Sequence, residues 1–196
     1  MRRTIVLLST IAVGLLLASG VALGATTTVK ETFTNSEGIR IRDFKKADPY
    51  PSQIAVSSFN QGSIRDVNLK LRGLSHTALQ DVDIILQHGN QSAIVMSDVA
   101  ASAQGFKLTL DDEAATTLPM LLLSSGSFKP TDYDTSGEDA TFPSPANTLP
   151  TDGSALSVFD GTDPNGTWNL FVVDDTAFDK GKIGKWDLVI KARVPV

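Results

Sequence analysis

Carboxylates at the ends of apolar runs are the residues of this chain best suited to chemistry. Asp81 and Asp83 sit on one face of a run, Asp98 closes AIVMSD, Asp111 and Asp112 close KLTLDD, and Asp174 and Asp175 close FVVDD. Hard oxygen donors of this kind suit calcium, which takes about six to eight of them and needs neither histidine nor cysteine. Crowded carboxylates repel one another, and a cation offsets that repulsion. The plainer alternative is that such acids end strands and keep turns hydrated. Thiol chemistry is excluded outright, because the chain has no cysteine. Its two histidines are too few for a histidine-rich metal site.

A hydrolase could be built only on His76, which lies in GLSHT with Asp81 and Asp83 downstream as orienting partners. No Gly-x-Ser-x-Gly elbow accompanies it, so a structural histidine is the favoured interpretation. His88, followed by Gly89 and Asn90, belongs to a hairpin turn. The chain has no HExxH motif and no phosphate-cradling Gly-Lys-Ser/Thr loop. The stretch DGTDPNG, from Asp160 to Gly166, fails as a calcium loop because its alternating acids are incomplete and no closing Glu follows at the required spacing. Trp168 and Trp186 would serve either as an aromatic platform for sugar or as core, and alternation within apolar runs favours core. Asn90 and Asn165 begin glycosylation sequons, which matter only in a eukaryotic host. A net charge of −5 disfavours nucleic acid as a partner.

The elements that must position these groups read as strands. Val67, Leu69 and Leu71 alternate with Asn68, Lys70 and Arg72, and Val82, Ile84 and Leu86 repeat the pattern with Asp83 between. Phe106, Leu108 and Leu110 form a third half-buried run, and Trp186, Leu188 and Ile190 a fourth, with Lys185, Asp187 and Lys191 on its solvated face. Trp168 to Val173 is apolar on both faces apart from Asn169, so that strand is expected to be covered on both sides. Gly, Pro, Asn, Asp and Ser punctuate the runs, and no 3.6-residue period is sustained in this part of the chain. The pattern predicts an all-β sandwich or barrel of eight or nine strands, with at most a helical turn near Ala114–Thr117 or Ser154–Phe159. Asp132 to Gly153, holding Pro143, Pro145 and Pro150, reads as a long surface loop.

Ahead of this lies a leader. Arg2 and Arg3 precede an apolar run from Ile5 to Leu23, and small residues follow, the layout of a secretory signal. Cleavage after Gly24 leaves residues 25–196 as the mature domain and takes the net charge to −7, because the leader carries two arginines and no acid. If uncleaved, residues 1–24 would be an anchor, since a span needs about 20 apolar residues. Either way the folded part is expected outside the cytoplasm, secreted or held at a membrane. The arginine pair alone is weak grounds for a twin-arginine route.

The order PYPSQIAVSS (Pro49 to Ser58), IRDVNLKLRGLSHTALQDVDIIL (Ile64 to Leu86), AIVMSD, LTLDDEA, SGSFKP, FDGTDPNGTWNLFVVDD (Phe159 to Asp175) and GKIGKWDL (Gly181 to Leu188) resembles the P domain, or Homo B domain. That domain follows the catalytic domain of subtilisin-like proprotein convertases and of many bacterial serine proteases. The resemblance implies a jelly-roll-like, galactose-binding-like antiparallel β-sandwich with no catalytic residues of its own. It implies calcium held by Asp98, Asp111 and Asp112, with Asp83 a fourth ligand, since these lie in the matching pieces. It also implies an extracellular protein partner such as a subtilisin-like serine endopeptidase, to which any peptidase activity would belong. The alternative is a carbohydrate or cell-wall binding jelly roll.

Overall fold

Five β-branched or leucine side chains in fourteen residues cannot all be buried on one isolated strand, and the chain resolves this by giving its longest strand neighbours on both sides. The computed structural model describes residues 24–99, 102–133, 142–146 and 153–196. In chain order the strands are β1 (Thr26–Asn35), β2 (Ile39–Ile41), β3 (Ser52–Val56), β4 (Ser63–His76), β5 (Val82–His88) and β6 (Gln91–Ser97). There follow β7 (Ala103–Leu110), β8 (Gly126–Phe128), β9 (Thr131–Asp132), β10 (Gly166–Asp174), β11 (Gly181–Ile183) and β12 (Lys185–Pro195). Eight of these have five residues or more, and β2, β8, β9 and β11 are short additions at the ends. Single 3₁₀ turns at Leu79–Asp81 and Leu156–Phe159 complete the elements used below. Among the described residues no helix is long and apolar enough to cross a membrane.

The fold is an all-β sandwich of two sheets that do not close into a barrel. One sheet runs β1-β12-β4-β11-β2, with β7 on the other side of β4 and β8 beyond it; the other runs β3-β10-β5-β6-β9. Pairing is antiparallel except for two short parallel contacts, β6 with β9 and β7 with β8. Val67, Leu69 and Leu71, Leu108 and Leu110, Trp186, Leu188 and Ile190 meet Val82, Ile84, Leu86, Trp168, Leu170 and Val172 in one core between the sheets. The period-2 pattern of the sequence is thus the packing pattern of the protein. Both indoles are fully buried and both keep a hydrogen-bond partner: Trp168 donates to the Pro164 carbonyl at 3.1 Å and Trp186 to the Ser52 hydroxyl at 2.9 Å.

The cover expected on both sides of β10 is present, and two other expectations about wet surfaces change. The outer face of the five-stranded sheet is covered, because Ile85, Ile94, Phe171 and Val173 pack with Phe142, Ala146 and Tyr50 in a second, smaller apolar layer. Phe142 and Ala146 come from the stretch expected to be surface loop; the rest of that stretch lies mostly outside the described residues, as does the leader up to residue 23. Asp187, expected in solvent, is buried opposite Arg72 and Thr34, which hydrogen-bond its carboxylate. Burial pushes its pKa up, but those two donors and the arginine charge outweigh burial and hold it below the usual carboxylate range. Asn68 is also buried, its side-chain amide donating to Asp66.

Strand β11 approaches β4 so closely that Gly181 has no room for a side chain. A Cβ there would lie 2.1 Å from the Ser75 carbonyl oxygen and 2.5 Å from Cδ2 of His76. Backbone cannot yield as a flexible side chain can, so Gly181→Ala is expected to cost about 1–3 kcal/mol in urea unfolding. Gly38, whose nearest atom to an added Cβ is 3.6 Å away, is the control; Gly38→Ala should change stability by less than about 0.5 kcal/mol. Equal losses at both positions would mean that the β4–β11 approach is looser than described.

Candidate functional site

Four neighbouring strands of the five-stranded sheet each deliver an acid to the same end. Asp83 sits on β5, Asp98 follows β6, Asp132 ends β9 and Asp175 follows β10. The register accounts for the gathering: Ser97 pairs with Asp132, and the Asp175 N–H donates to the Asp81 carbonyl at 3.0 Å. Asp83 is the centre of this group at 3% exposure, and its Oδ2 has no hydrogen-bond partner. Burial pushes its pKa up to about 7, opposed by a hydrogen bond from Ser97 and reinforced by the charges of Asp175, Asp98 and Asp132. The same Ser97 hydroxyl lies 3.2 Å from Oδ2 of Asp98, so the two carboxylates share its one proton, and Asp98 holds a left-handed backbone with φ of 54°.

The sequence-derived ligand set therefore divides. Asp83 and Asp98 come together. Asp111 instead joins Asp66 and Glu113, whose ligand atoms all lie within 4.8 Å of one another. Glu113 shares a hydrogen bond with Asp111, which together with partial burial raises its pKa. Asp112 is occupied structurally: its two oxygens accept the N–H groups of Leu156 at 3.0 Å and Ser157 at 2.7 Å, capping the 3₁₀ turn. Among the described residues the Asp83 group is not drawn as tightly as the Asp66 group, so a cation there would complete its shell with carbonyls or water. No acid of the Asp66 group is buried as Asp83 is, and Asp66 already accepts from Asn68, so its charges are the better screened. The buried, orphaned oxygen of Asp83 is what fits a hard cation; Asp112 does not fit.

Asp132 and Asp66 were not singled out as ligands from sequence. Asp132 opens a stretch rich in turn residues, with no strand pattern to assign it a neighbour. Only the parallel β6–β9 pairing brings it to Ser97. Asp66 reaches Asp111 because β4 and β7 pair up to Leu69 and Leu110.

His76 joins the two sheets. Its Nδ1 lies 2.8 Å from the Ala78 carbonyl oxygen and 3.2 Å from the Ala78 N–H, so the ring is held to this turn whichever nitrogen carries the proton. Its Nε2 is 3.1 Å from Oδ2 of Asp174 on β10, and neither side chain is exposed. The other Asp174 oxygen accepts from the Thr176 N–H at 3.2 Å and the Phe44 N–H at 3.3 Å. Burial raises the Asp174 pKa against these donors and the histidine. The expected orienting acids, Asp81 and Asp83, are thus not the partners of His76. His88 stacks on Trp168, ring centroids 4.1 Å apart and nearly parallel, with its nitrogens against the Asp163 and Thr167 carbonyls. No hydroxyl is hydrogen-bonded to either imidazole among the described residues.

No family model matches the chain, and no curated protein does. Among solved structures it is similar to the serine protease of Aeromonas sobria, at 15% identity and a TM-score of 0.41, over 86% of this chain and 27% of that one. A chain in the crystal structure of the complex of Aeromonas sobria serine protease and a chaperone is similar at 15% identity and a TM-score of 0.36, over 85% of this chain and 27% of that one. The chain thus spans about a quarter of the length of these neighbours, and the resemblance to the P domain rests on its sequence motifs.

Asp83 makes stability depend on pH with a definite sign. Between its ordinary 3.8 and about 7 the folded chain keeps a proton that the unfolded chain has released, so stability falls as pH rises through that window and levels off above it. In chelator, Asp83→Asn should flatten the slope of melting temperature between pH 4 and 8, and at pH 8 it should be the more stable protein by roughly 1–4 kcal/mol. An unchanged slope would mean that Asp83 is not held protonated.

Proposed function

We propose that this chain is a secreted, non-catalytic β-sandwich module that binds calcium and acts by docking onto another extracellular protein. The observation that carries it is the engagement of the histidines: both ring nitrogens of His76 and of His88 face structural partners in buried positions. That leaves neither imidazole free to activate a nucleophile. What the surface offers instead is apolar area for contact. Met120, Leu121 and Leu122 form a consecutive exposed run, of the kind that marks interaction surfaces. Both tryptophans lie in the core, which removes the aromatic platform a sugar-binding module would have drawn from them. The P-domain-like motifs make a subtilisin-like serine endopeptidase the partner to seek.

Calcium is assigned to Asp83 and Asp98, with Asp132 and Asp175 alongside. When bound it would supply charge neutralisation for a buried carboxylate, and so stability, with no chemical step. Melting temperature should rise with added calcium and fall with chelator, more at pH 8 than at pH 5, because the ionised form of Asp83 is the ligand. Asp83→Asn should abolish the rise while Asp111→Asn keeps it. Loss in Asp111→Asn alone would move the site to the Asp66 group, and no response in the wild type removes calcium. For docking, a tagged chain passed over its native secretion fraction should retain a serine endopeptidase, while the chain alone stays inert on peptide and ester substrates. Hydrolysis by the wild type that is lost in His76→Gln would overturn the proposal.

A further inference from the structure

A cavity of about 830 Å³ opens where β11 meets β2, and its charge is opposite to that of the chain. Arg40, Arg42, Lys45, Lys180 and Lys182 line it, against the single acid Asp43. Asp43 is already engaged, accepting the Phe178 N–H at 2.8 Å, and Arg42 is paired with Asp48. Arg40, Lys45, Lys180 and Lys182 are exposed and have no ion pair among the described residues. The buried side chains of Ile41 and Ala103 and the aliphatic stems of the cations give the cavity apolar walls.

Two phenylalanines stand on the same two loops. Phe44 is 64% exposed and Phe178 94% exposed, and both have left-handed backbones, with φ of 50° and 88°. A bulky residue in that region is a steric outlier, held only where its surroundings impose it. Here Asp174 fixes the Phe44 N–H and Asp43 fixes the Phe178 N–H, so the segments carrying the two rings are tied together. Neither ring contributes much to the core, since both remain in water. The rim of β2 is closed to an added strand, because Arg40 and Asp48 exchange both backbone hydrogen bonds at 2.9 Å. A ligand must therefore be recognised through side chains.

We propose that this cavity is the docking site for an acidic peptide segment of a protein partner, one in which carboxylates are interleaved with apolar residues. This rests on the docking function above and names its surface. Carboxylates meet Arg40, Lys45, Lys180 and Lys182, and apolar side chains lie on Phe44 and Phe178. Cations spread over β2, β11 and the loops beside them, with apolar walls between, match an extended chain of mixed character. A lone phosphate would leave both rings bare.

The test is anisotropy of a labelled peptide of alternating Asp and Leu on the full chain, against a control with Asn for Asp. Binding should be confined to the acidic peptide, should weaken about tenfold or more in the double variant Arg40→Glu, Lys182→Glu, and should fall with added salt. Phe178→Ala should weaken it several-fold. All three positions are exposed, so the melting temperature and near-ultraviolet spectrum should be those of the wild type. No binding, or binding indifferent to these substitutions, overturns the proposal. So does displacement by inorganic phosphate or a sulfated polysaccharide that itself binds Phe178→Ala as well as wild type. Retention of the same partner from the secretion fraction by wild type and double variant overturns the cavity while leaving the docking function in place. Peptide binding without any retained partner does the reverse.

Discussion

A buried histidine and aspartate hold one end of the sandwich together. His76 belongs to the seven-stranded sheet and Asp174 to the five-stranded one, so their contact is a polar bond across an interface that is otherwise apolar. Removing either partner of such a pair leaves the other buried and unsatisfied, which typically costs about 3–5 kcal/mol. The pair also organises the loops around it. Nδ1 of His76 fixes the turn into β5, and hence the placement of Asp81 and Asp83, while Asp174 fixes Phe44 and Thr176. The acid group and the cation-lined cavity are both built outward from this one contact.

Burial separates the acids of the chain by role more sharply than sequence position does. Asp112 has both oxygens satisfied by backbone N–H groups, and Asp187 has an arginine and a threonine; each ties distant segments of the fold together. Asp83 is about as buried as Asp187 and more so than Asp112, yet keeps an unpartnered oxygen beside three other acids. A carboxylate in that setting opposes folding when ionised. Its place at the centre of the sheet end makes physical sense if a cation offsets the charge.

Much of the fold was legible because alternation is a direct record of burial. The inner residues of β4, β5, β7, β10 and β12 are the ones the period-2 pattern picks out, and the double-sided burial of Phe171 and Val173 follows from the absence of polar residues among them. β1 was not legible: TTTVKETFTN carries two charges and only two large apolar residues, and it is a strand because β12 supplies its hydrogen bonds. Asp187 and Asn68 were assigned to solvent because alternation reports side but not cover. Of the candidate ligands, Asp83 and Asp98 lie on paired neighbours, which strand order within a hairpin implies. The company of Asp132, Asp175 and Asp66 depends on pairings between distant segments. The cavity could not be read at all, since Arg40 and Lys182 become neighbours only through the β2–β11 ladder.

One stretch serves both ends of this arrangement. Asp175 faces the carboxylate group, and five residues on Lys180 faces the cavity, with Phe178 between them. Six residues of backbone are short enough that settling one terminus narrows the conformations open to the other. Were a metal to bind at the first and a ligand at the second, the two would be thermodynamically linked, and whatever factor one lent to the other's affinity would be returned in equal measure.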